Sequence, residues 1–105
     1  MFRRILIATD GSRLSRKAIR HGIALARTLG ASVVGHHARP PSPLIYAMEP
    51  IAISPADSII RTAKREKCDL VVMASHGRHG LTRVLLGSET MGVLTHSGIP
   101  VLVTR

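Results

Sequence analysis

The chain has 105 residues, 45% of them hydrophobic, which predicts one folded domain over residues 1–105 and argues against disorder. Its formal net charge is +9, and its single cysteine, Cys68, excludes a disulfide framework within the chain. No apolar run approaches the roughly 20 residues of a membrane span. We therefore expect a cytoplasmic protein without a membrane segment.

The first third of the chain predicts a strand, a helix and a second strand. Residues 4–9 form an apolar run with little alternation, which is typical of a strand buried on both faces. A turn follows, and either Ser12 or Ser15 caps a helix that Gly30 ends. Residues 31–38 form the second strand, and the crossover is expected to be right-handed.

The predicted helix is amphipathic. Its basic residues share one face: Arg13, Arg16, Lys17, Arg20 and Arg27. The opposite face carries Leu14, Ala18, Gly22, Leu25 and Leu29. This pattern predicts a surface helix, and the charge favours anionic partners such as nucleotides, nucleic acid or acidic surfaces. The alternative interpretation of the positive net charge is a soluble, arginine-rich surface without a specific anionic partner.

The middle of the chain is rich in proline. Residues 39–54 hold four of the six prolines, a density through which no helix runs. Within this loop, residues 49–53 are a candidate for a short edge strand, because proline is tolerated at an edge.

The last part of the chain predicts two more helices and two more strands. Ser54 and Pro55 begin a helix whose buried face is expected to comprise Ala56, Ile59, Ile60 and Ala63. Residues 69–74 form a buried strand. Ser88 caps a helix over 89–96, and the last strand spans 99–104.

This alternation predicts an α/β fold, with a doubly wound, mainly parallel open sheet and helices on both faces. Ligands bind such sheets beyond the carboxyl ends of the strands, where the strand order reverses. If the second crossover passes over the first strand, the strands that end near Asp10 and Ala74 are neighbours. Their tips would then form the binding crevice.

The segment at 75–90, SHGRHGLTRVLLGSET, follows one of these tips. Its glycines permit close approach of the backbone to a ligand, and Gly87-Ser88 stands where a helix begins. Free amides there, with the Ser88 and Thr90 hydroxyls and the charge of Arg78, suit phosphate. A flexible loop followed by an ordinary capped helix is the alternative interpretation.

Three segments together resemble the universal stress protein family: ATDGS, DLVVMASHGRHGLTRVLLGS and IPVLVTR. The signature of its nucleotide-binding branch is G-x2-G-x9-G-[ST]. Gly77, Gly87 and Ser88 fit this signature, whereas Ala74 replaces its first glycine. The resemblance covers residues 3–38 and 54–105. It implies a Rossmann-like fold, in which residues 39–54 replace an extra helix and an edge strand. Relative to the family, three alternatives stay open: residues 49–53 serve as the edge strand, the edge is lost, or a partner chain supplies a strand by swapping.

The resemblance also implies that the chain binds ATP with Mg²⁺ or Mn²⁺. Its expected contacts with adenine and ribose are Thr9, Asp10 and Ala38. Those along the ribose and phosphate path are Ala74, Gly77 and Arg78. Those with the phosphates at the helix start are Gly87, Ser88, Glu89 and Thr90.

The function that follows is a nucleotide-dependent regulator or partner-binding module of the stress response. The resemblance further implies a homodimer through the last strand, Ile99 to Thr104. The alternatives are a non-nucleotide scaffold dimer of the same fold and a slow ATPase, since no general base is placed to activate water. Nucleic-acid binding is disfavoured because aromatics make up only 2% of the chain. The histidines lack the further ligands of a structural metal site.

Overall fold

A computed structural model of the chain describes residues 2–37, 55–75 and 88–105. Their elements in chain order are β1 (Arg4–Thr9), α1 (Arg13–Leu29), β2 (Ser32–His37), α2 (Pro55–Arg65), β3 (Leu70–Ala74), α3 (Ser88–His96) and β4 (Val101–Thr104). The predictions for Ala38, for the loop at 39–54 with its candidate strand, and for Gly77, Arg78 and Gly87 lie outside these ranges. None of the helices in the described ranges is long and apolar enough to cross a membrane.

The strands form one sheet in the order β2-β1-β3-β4, and each neighbouring pair is parallel. β1 therefore lies between the strand that follows it in sequence and the strand after the second crossover. This arrangement confirms the doubly wound α/β fold. It also confirms that β1 and β3 are neighbours, with the strand order reversing between them.

Helix α1 begins and ends close to the predicted positions. Ser12 is the N-cap, because its side chain accepts a hydrogen bond from the Ser15 amide at 3.2 Å. Gly30 ends the helix in the left-handed conformation (φ 68°), and its N–H donates to the Ala26 carbonyl. Of the two candidate caps, Ser12 is thus the one used.

Helix α1 packs on one face of the sheet, over β1 and β3. A Cβ atom on Gly22 would lie 2.6 Å from Ile7 Cδ1 and 2.8 Å from Ile7 Cγ1, so glycine permits this close approach. The buried residues of the helix are Ser15, Ala18, Gly22 and Ala26. Leu14 and Leu25, predicted on the buried face, are only partly buried at its margins.

Helices α2 and α3 cover the other face of the sheet. Leu6, Ile59, Val71 and Val93 are fully buried between the sheet and these helices. The structure confirms the predicted burial of Ala56, Ile59 and Ala63. The predicted burial of Ile60 was wrong, because Thr62 is buried and Ile60 is only half-buried.

Three strands begin later than predicted: β2 at Ser32, β3 at Leu70 and β4 at Val101. The Asp69 carboxylate accepts the N–H groups of Arg3 at 2.8 Å and Arg4 at 3.0 Å, which ties the start of β1 to the start of β3. These hydrogen bonds lower the pKa of Asp69. Pro100 has no N–H to donate, although its carbonyl accepts from Val71 at 3.0 Å.

His36 on β2 lies under α2 and makes two hydrogen bonds with that helix. Its Nε2 lies 3.2 Å from Ser58 Oγ, and its Nδ1 lies 3.3 Å from Thr62 Oγ1. Burial lowers the pKa of His36 below its ordinary value of 6.5, and the positive charges of Arg65 and His37 lower it further. The neutral imidazole is therefore favoured in the folded chain.

This pKa shift predicts a loss of stability in mild acid. The unfolded chain binds the His36 proton more tightly, so the contribution of His36 is present above pH 6.5 and is lost as the pH falls below that value. Urea unfolding at about pH 7 and about pH 5 should show a smaller pH dependence in His36→Gln than in the natural chain. His21→Gln, at an exposed position on α1, is the matched control. Equal pH dependence in all three proteins would contradict this assignment.

Candidate functional site

The carboxyl ends of β1 and β3 separate and leave a crevice between them. β1 pairs with β2 over all six residues, from Arg4 to Thr9, but with β3 only from Ile5 to Ile7. The last β1–β3 pair is Ile7 with Val72, so Thr9 lies level with Ala74 without being paired to it. The two strand tips therefore lie side by side at the edge where ligands bind such sheets, as expected from the sequence.

The turn after β1 is held by its own side chains. Thr9 Oγ1 lies 2.9 Å from Ser15 Oγ and accepts the Gly11 N–H at 3.1 Å. Asp10 Oδ1 accepts the Ser12 N–H at 2.9 Å. Gly11 has a φ of 84°, in the left-handed region that favours glycine. This network sets the position of the Asp10 carboxylate beside the crevice and the start of α1.

The start of α3 is fastened to the tip of β3. Thr90 Oγ1 donates to the Ala74 carbonyl at 2.8 Å, and only 2% of Thr90 is exposed. The Ala74 carbonyl lies beyond the last residue of β3 that pairs with β1, and the first turn of α3 supplies its donor. The amides at the start of a helix lack intrahelical acceptors and lie at the positive end of its dipole. The arrangement brings an anion-binding helix end to the crevice.

The tip of β4 joins the same edge. The Ser75 N–H donates to the Thr104 carbonyl at 2.8 Å, and Ser75 is buried. Ala74 is 7% exposed and packs in the cluster beneath α1. The alanine at the first position of the glycine signature therefore faces packed side chains on that side.

The structure brings together four of the predicted site residues, namely Thr9, Asp10, Ala74 and Thr90. Ser88 and Glu89 form the first turn of α3, where only their backbone is described. The Thr90 hydroxyl already donates its hydrogen to the Ala74 carbonyl. The donor that Thr90 can offer to a phosphate is therefore its backbone amide. The binding roles of all the predicted site residues stay predictions, and Ala38, Gly77, Arg78 and Gly87 lie outside the described ranges.

Sequence reasoning missed Ser15 as part of the site. It is 3% exposed, it contacts Thr9, and its hydroxyl donates to the Ser12 carbonyl at 2.9 Å. The available signal was the spacing of Ser12 and Ser15, which was interpreted as two competing caps. Ser12 caps the helix, and Ser15 makes a hydrogen bond with Thr9 at the carboxyl end of β1.

Neither a metal centre nor a reactive thiol is built into the described part of the chain. No group of three or more His, Cys, Asp or Glu side chains there is arranged to hold a metal ion. Cys68 is buried, and burial raises the pKa of its thiol. The chemistry of the described site is therefore that of backbone amides, hydroxyls and the Asp10 carboxylate.

Comparison with known proteins identifies the family. The model of the universal stress protein family matches residues 1–52 and 49–105. Universal stress protein MJ0531 of Methanocaldococcus jannaschii is 27% identical over an alignment that covers all of this chain and 83% of the relative. That alignment spans 141 positions, whereas this chain has 105 residues, which leaves at least 36 positions of the relative without a counterpart.

Solved structures share the fold. Universal stress protein UspA from Lactobacillus plantarum superposes with a TM-score of 0.79 at 19% identity, covering 98% of this chain and 97% of that protein. A universal stress protein crystallised in complex with cAMP gives a TM-score of 0.76 at 24% identity, covering 99% of this chain and 97% of that protein.

The bond between Thr90 and Ala74 predicts a stability cost for Thr90→Val. Valine fills the same volume but leaves the Ala74 carbonyl without its donor, which should lower the free energy of unfolding by about 1–3 kcal/mol. Thr95→Val, at an exposed position on the same helix, should cost far less. Chemical denaturation measures both values, and equal effects would show that the bond contributes little.

Proposed function

The chain belongs to the universal stress protein family, and we propose that it binds ATP at the crevice between β1 and β3. In this role it acts as a nucleotide-dependent regulator or partner-binding module in the stress response. The observation that carries the proposal is the separation of the two strand tips, with the first turn of α3 fastened at the gap by Thr90.

The groups at this gap match the parts of a nucleotide. The amides at the start of α3, from Ser88 to Thr90, are donors for phosphate oxygens. The Asp10 carboxylate is an acceptor for ribose hydroxyls. In the proposed complex Thr9, Asp10 and Ala38 lie toward adenine and ribose, and Ala74, Gly77, Arg78, Gly87 and Glu89 line the path to the phosphates. Mg²⁺ or Mn²⁺ would screen the charge of the triphosphate when bound.

The family member solved with cAMP supports an adenine nucleotide as the ligand class. cAMP and ATP share adenine, ribose and phosphate, and they differ in the number of phosphates that the start of α3 must hold. We favour binding over rapid hydrolysis, because the proposal assigns the Asp10 carboxylate to the ribose hydroxyls and not to the activation of a water molecule. The alternatives are a slow ATPase and a scaffold of the same fold that does not bind nucleotide.

We also propose that the protein is cytoplasmic and forms a homodimer through Ile99 to Thr104. Val71 and Ser75 on β3 donate to the carbonyls of Pro100 and Thr104, so alternate residues of β4 face β3. The backbone groups of Val101 and Val103 consequently face away from the sheet. Leu102 is 41% exposed beside this edge. An antiparallel strand from a second copy would satisfy the free edge.

Nucleotide binding is tested by isothermal titration of the purified chain with ATP and Mg²⁺. Gly87→Val or Ser88→Leu should weaken binding at least about tenfold, or about 1.4 kcal/mol, because a larger side chain obstructs the helix start. Gly98→Val is the matched control, since a Cβ atom at Gly98 meets nothing within 4 Å. Unchanged affinity in the first two variants would refute the assigned site, and no binding by the natural chain would favour the scaffold.

The dimer is tested with Val103→Pro, which removes an N–H that faces away from β3. The proline should block pairing with a second copy while leaving the ladder within the chain intact. Light scattering is expected to give the mass of a dimer for the natural chain and of a monomer for the variant. Circular dichroism checks the fold, and a folded Val103→Pro that stays dimeric would contradict this interface.

A further inference from the structure

Among the residues that the structure describes, strand β2 is covered on one face only. Its residues under α2 are half-buried, and Val34 packs against the core there. Its residues on the opposite face, Val33, Gly35 and His37, are all exposed, and Val33 is 44% exposed. Parallel strands are ordinarily covered on both faces, as β3 is here. One face of β2 thus lacks the layer that its neighbours have.

The uncovered face lies on the same side of the sheet as α1. Val33 pairs with Ile5, which belongs to the cluster beneath α1. Helix α1 itself contacts β1 and β3, because Gly22 lies against Ile7 and Val72. β2 is therefore left beside the helix and not beneath it.

The neighbouring flank of α1 adds apolar surface. Ile23 follows Gly22, and it is 40% exposed. A right-handed crossover turns this flank of the helix toward β2. At Gly35 a Cβ atom would meet nothing within 4 Å, so the space above the strand is open. We call this surface, composed of Ile23, Val33, Gly35 and His37, the open face.

Exposed positive charges border the open face. Residues 11–48 contain no Asp or Glu. The exposed cations of α1 are Arg13, Arg16, Lys17, Arg20 and Arg27. The ion pair within the described ranges, Arg65 with Glu66 at 3.8 Å, lies on the other side of the sheet, at the end of α2. The surface formed by α1 and β2 therefore carries positive charge with no carboxylate in its own sequence.

This distribution is unfavourable for the isolated chain. Arg13 with Lys17 and Arg16 with Arg20 are like-charge pairs four residues apart, and such pairs destabilise a helix. Arg13 and Arg16 also lie at the positive end of the helix dipole. A ligand that brings negative charge to this surface would relieve both effects.

We propose that the open face binds an acidic amphipathic helix of a partner protein. Apolar side chains of that helix would contact Ile23 and Val33, and its carboxylates would pair with Arg16, Arg20 and Arg27. The exposed Ile23 and Val33 favour a protein helix over nucleic acid, which needs no apolar contact of this kind. The inference rests on the partner-binding part of the proposed function and is independent of ATP.

The test uses Val33→Cys as a reporter of coverage. Cys68 is 6% exposed, so the introduced thiol is the accessible one. The probe is a synthetic helical peptide of about 18 residues, roughly 27 Å long, with leucine along one face and glutamate along the other. The rate of thiol alkylation should be high in the free protein and should fall at least about tenfold with saturating peptide, which corresponds to about 1.4 kcal/mol.

Two controls separate charge from apolar contact. A peptide with lysine in place of glutamate should not protect the thiol. Arg20→Glu should restore fast alkylation in the presence of the acidic peptide, whereas Arg61→Glu, at an exposed position on α2, should not. Ile23→Cys is a second reporter if Val33→Cys alters the unfolding midpoint. All measurements omit nucleotide, so failure here is distinct from failure to bind ATP.

Four outcomes would overturn the proposal. Slow alkylation of Val33→Cys without peptide, at every protein concentration, would show that the chain's own residues cover the open face. Alkylation without peptide that slows as the protein concentration rises would show that a second copy covers it. Equal protection by duplex DNA would indicate a site for polyanions. Protection by the acidic peptide that Arg20→Glu leaves unchanged would exclude the charge pairing.

Discussion

The hydrogen bond between the Thr90 hydroxyl and the Ala74 carbonyl is the interaction on which the candidate site depends. β1 pairs with β3 for only three residues, and beyond them the two strands separate. A buried carbonyl left unpaired at such a point costs free energy, so the gap needs another donor. Thr90 provides it at 2.8 Å. The same bond places the first turn of α3 at the opening, so one contact both satisfies the Ala74 carbonyl and positions the amides at the start of that helix.

The two faces of the sheet differ in how completely they are covered. α2 and α3 cover one face, and the hydroxyls of α2 extend that cover to His36 on β2. On the other face α1 covers β1 and β3 and leaves β2 exposed. The exposed face of β2 and the unbalanced positive charge of α1 therefore lie on the same side of the sheet.

Local pattern predicted most of the fold because its signals are local. The apolar run of β1, the cap at Ser12 and the glycine that ends α1 each depend on neighbouring residues. The errors arose where distant groups compete with the local signal. Asp69 was assigned to a strand, although its side chain bonds to Arg3 and Arg4, more than 60 residues away. Ile60 was placed in the core by its hydrophobicity, although the packing of α2 turns Thr62 inward.

The sequence by itself determined the α/β class and the order of the elements, since these follow from periodicity and capping. Its resemblance to a known family pointed to the family and to the candidate site residues. The tertiary structure decided which of those residues meet. It showed that Thr9 contacts Ser15, that the Thr90 hydroxyl is engaged with Ala74, and that β2 is bare beside α1. The physical reason is that hydrogen bonding and burial depend on which elements become neighbours, and residues distant in the chain acquire these relations only when the sheet and its helices assemble.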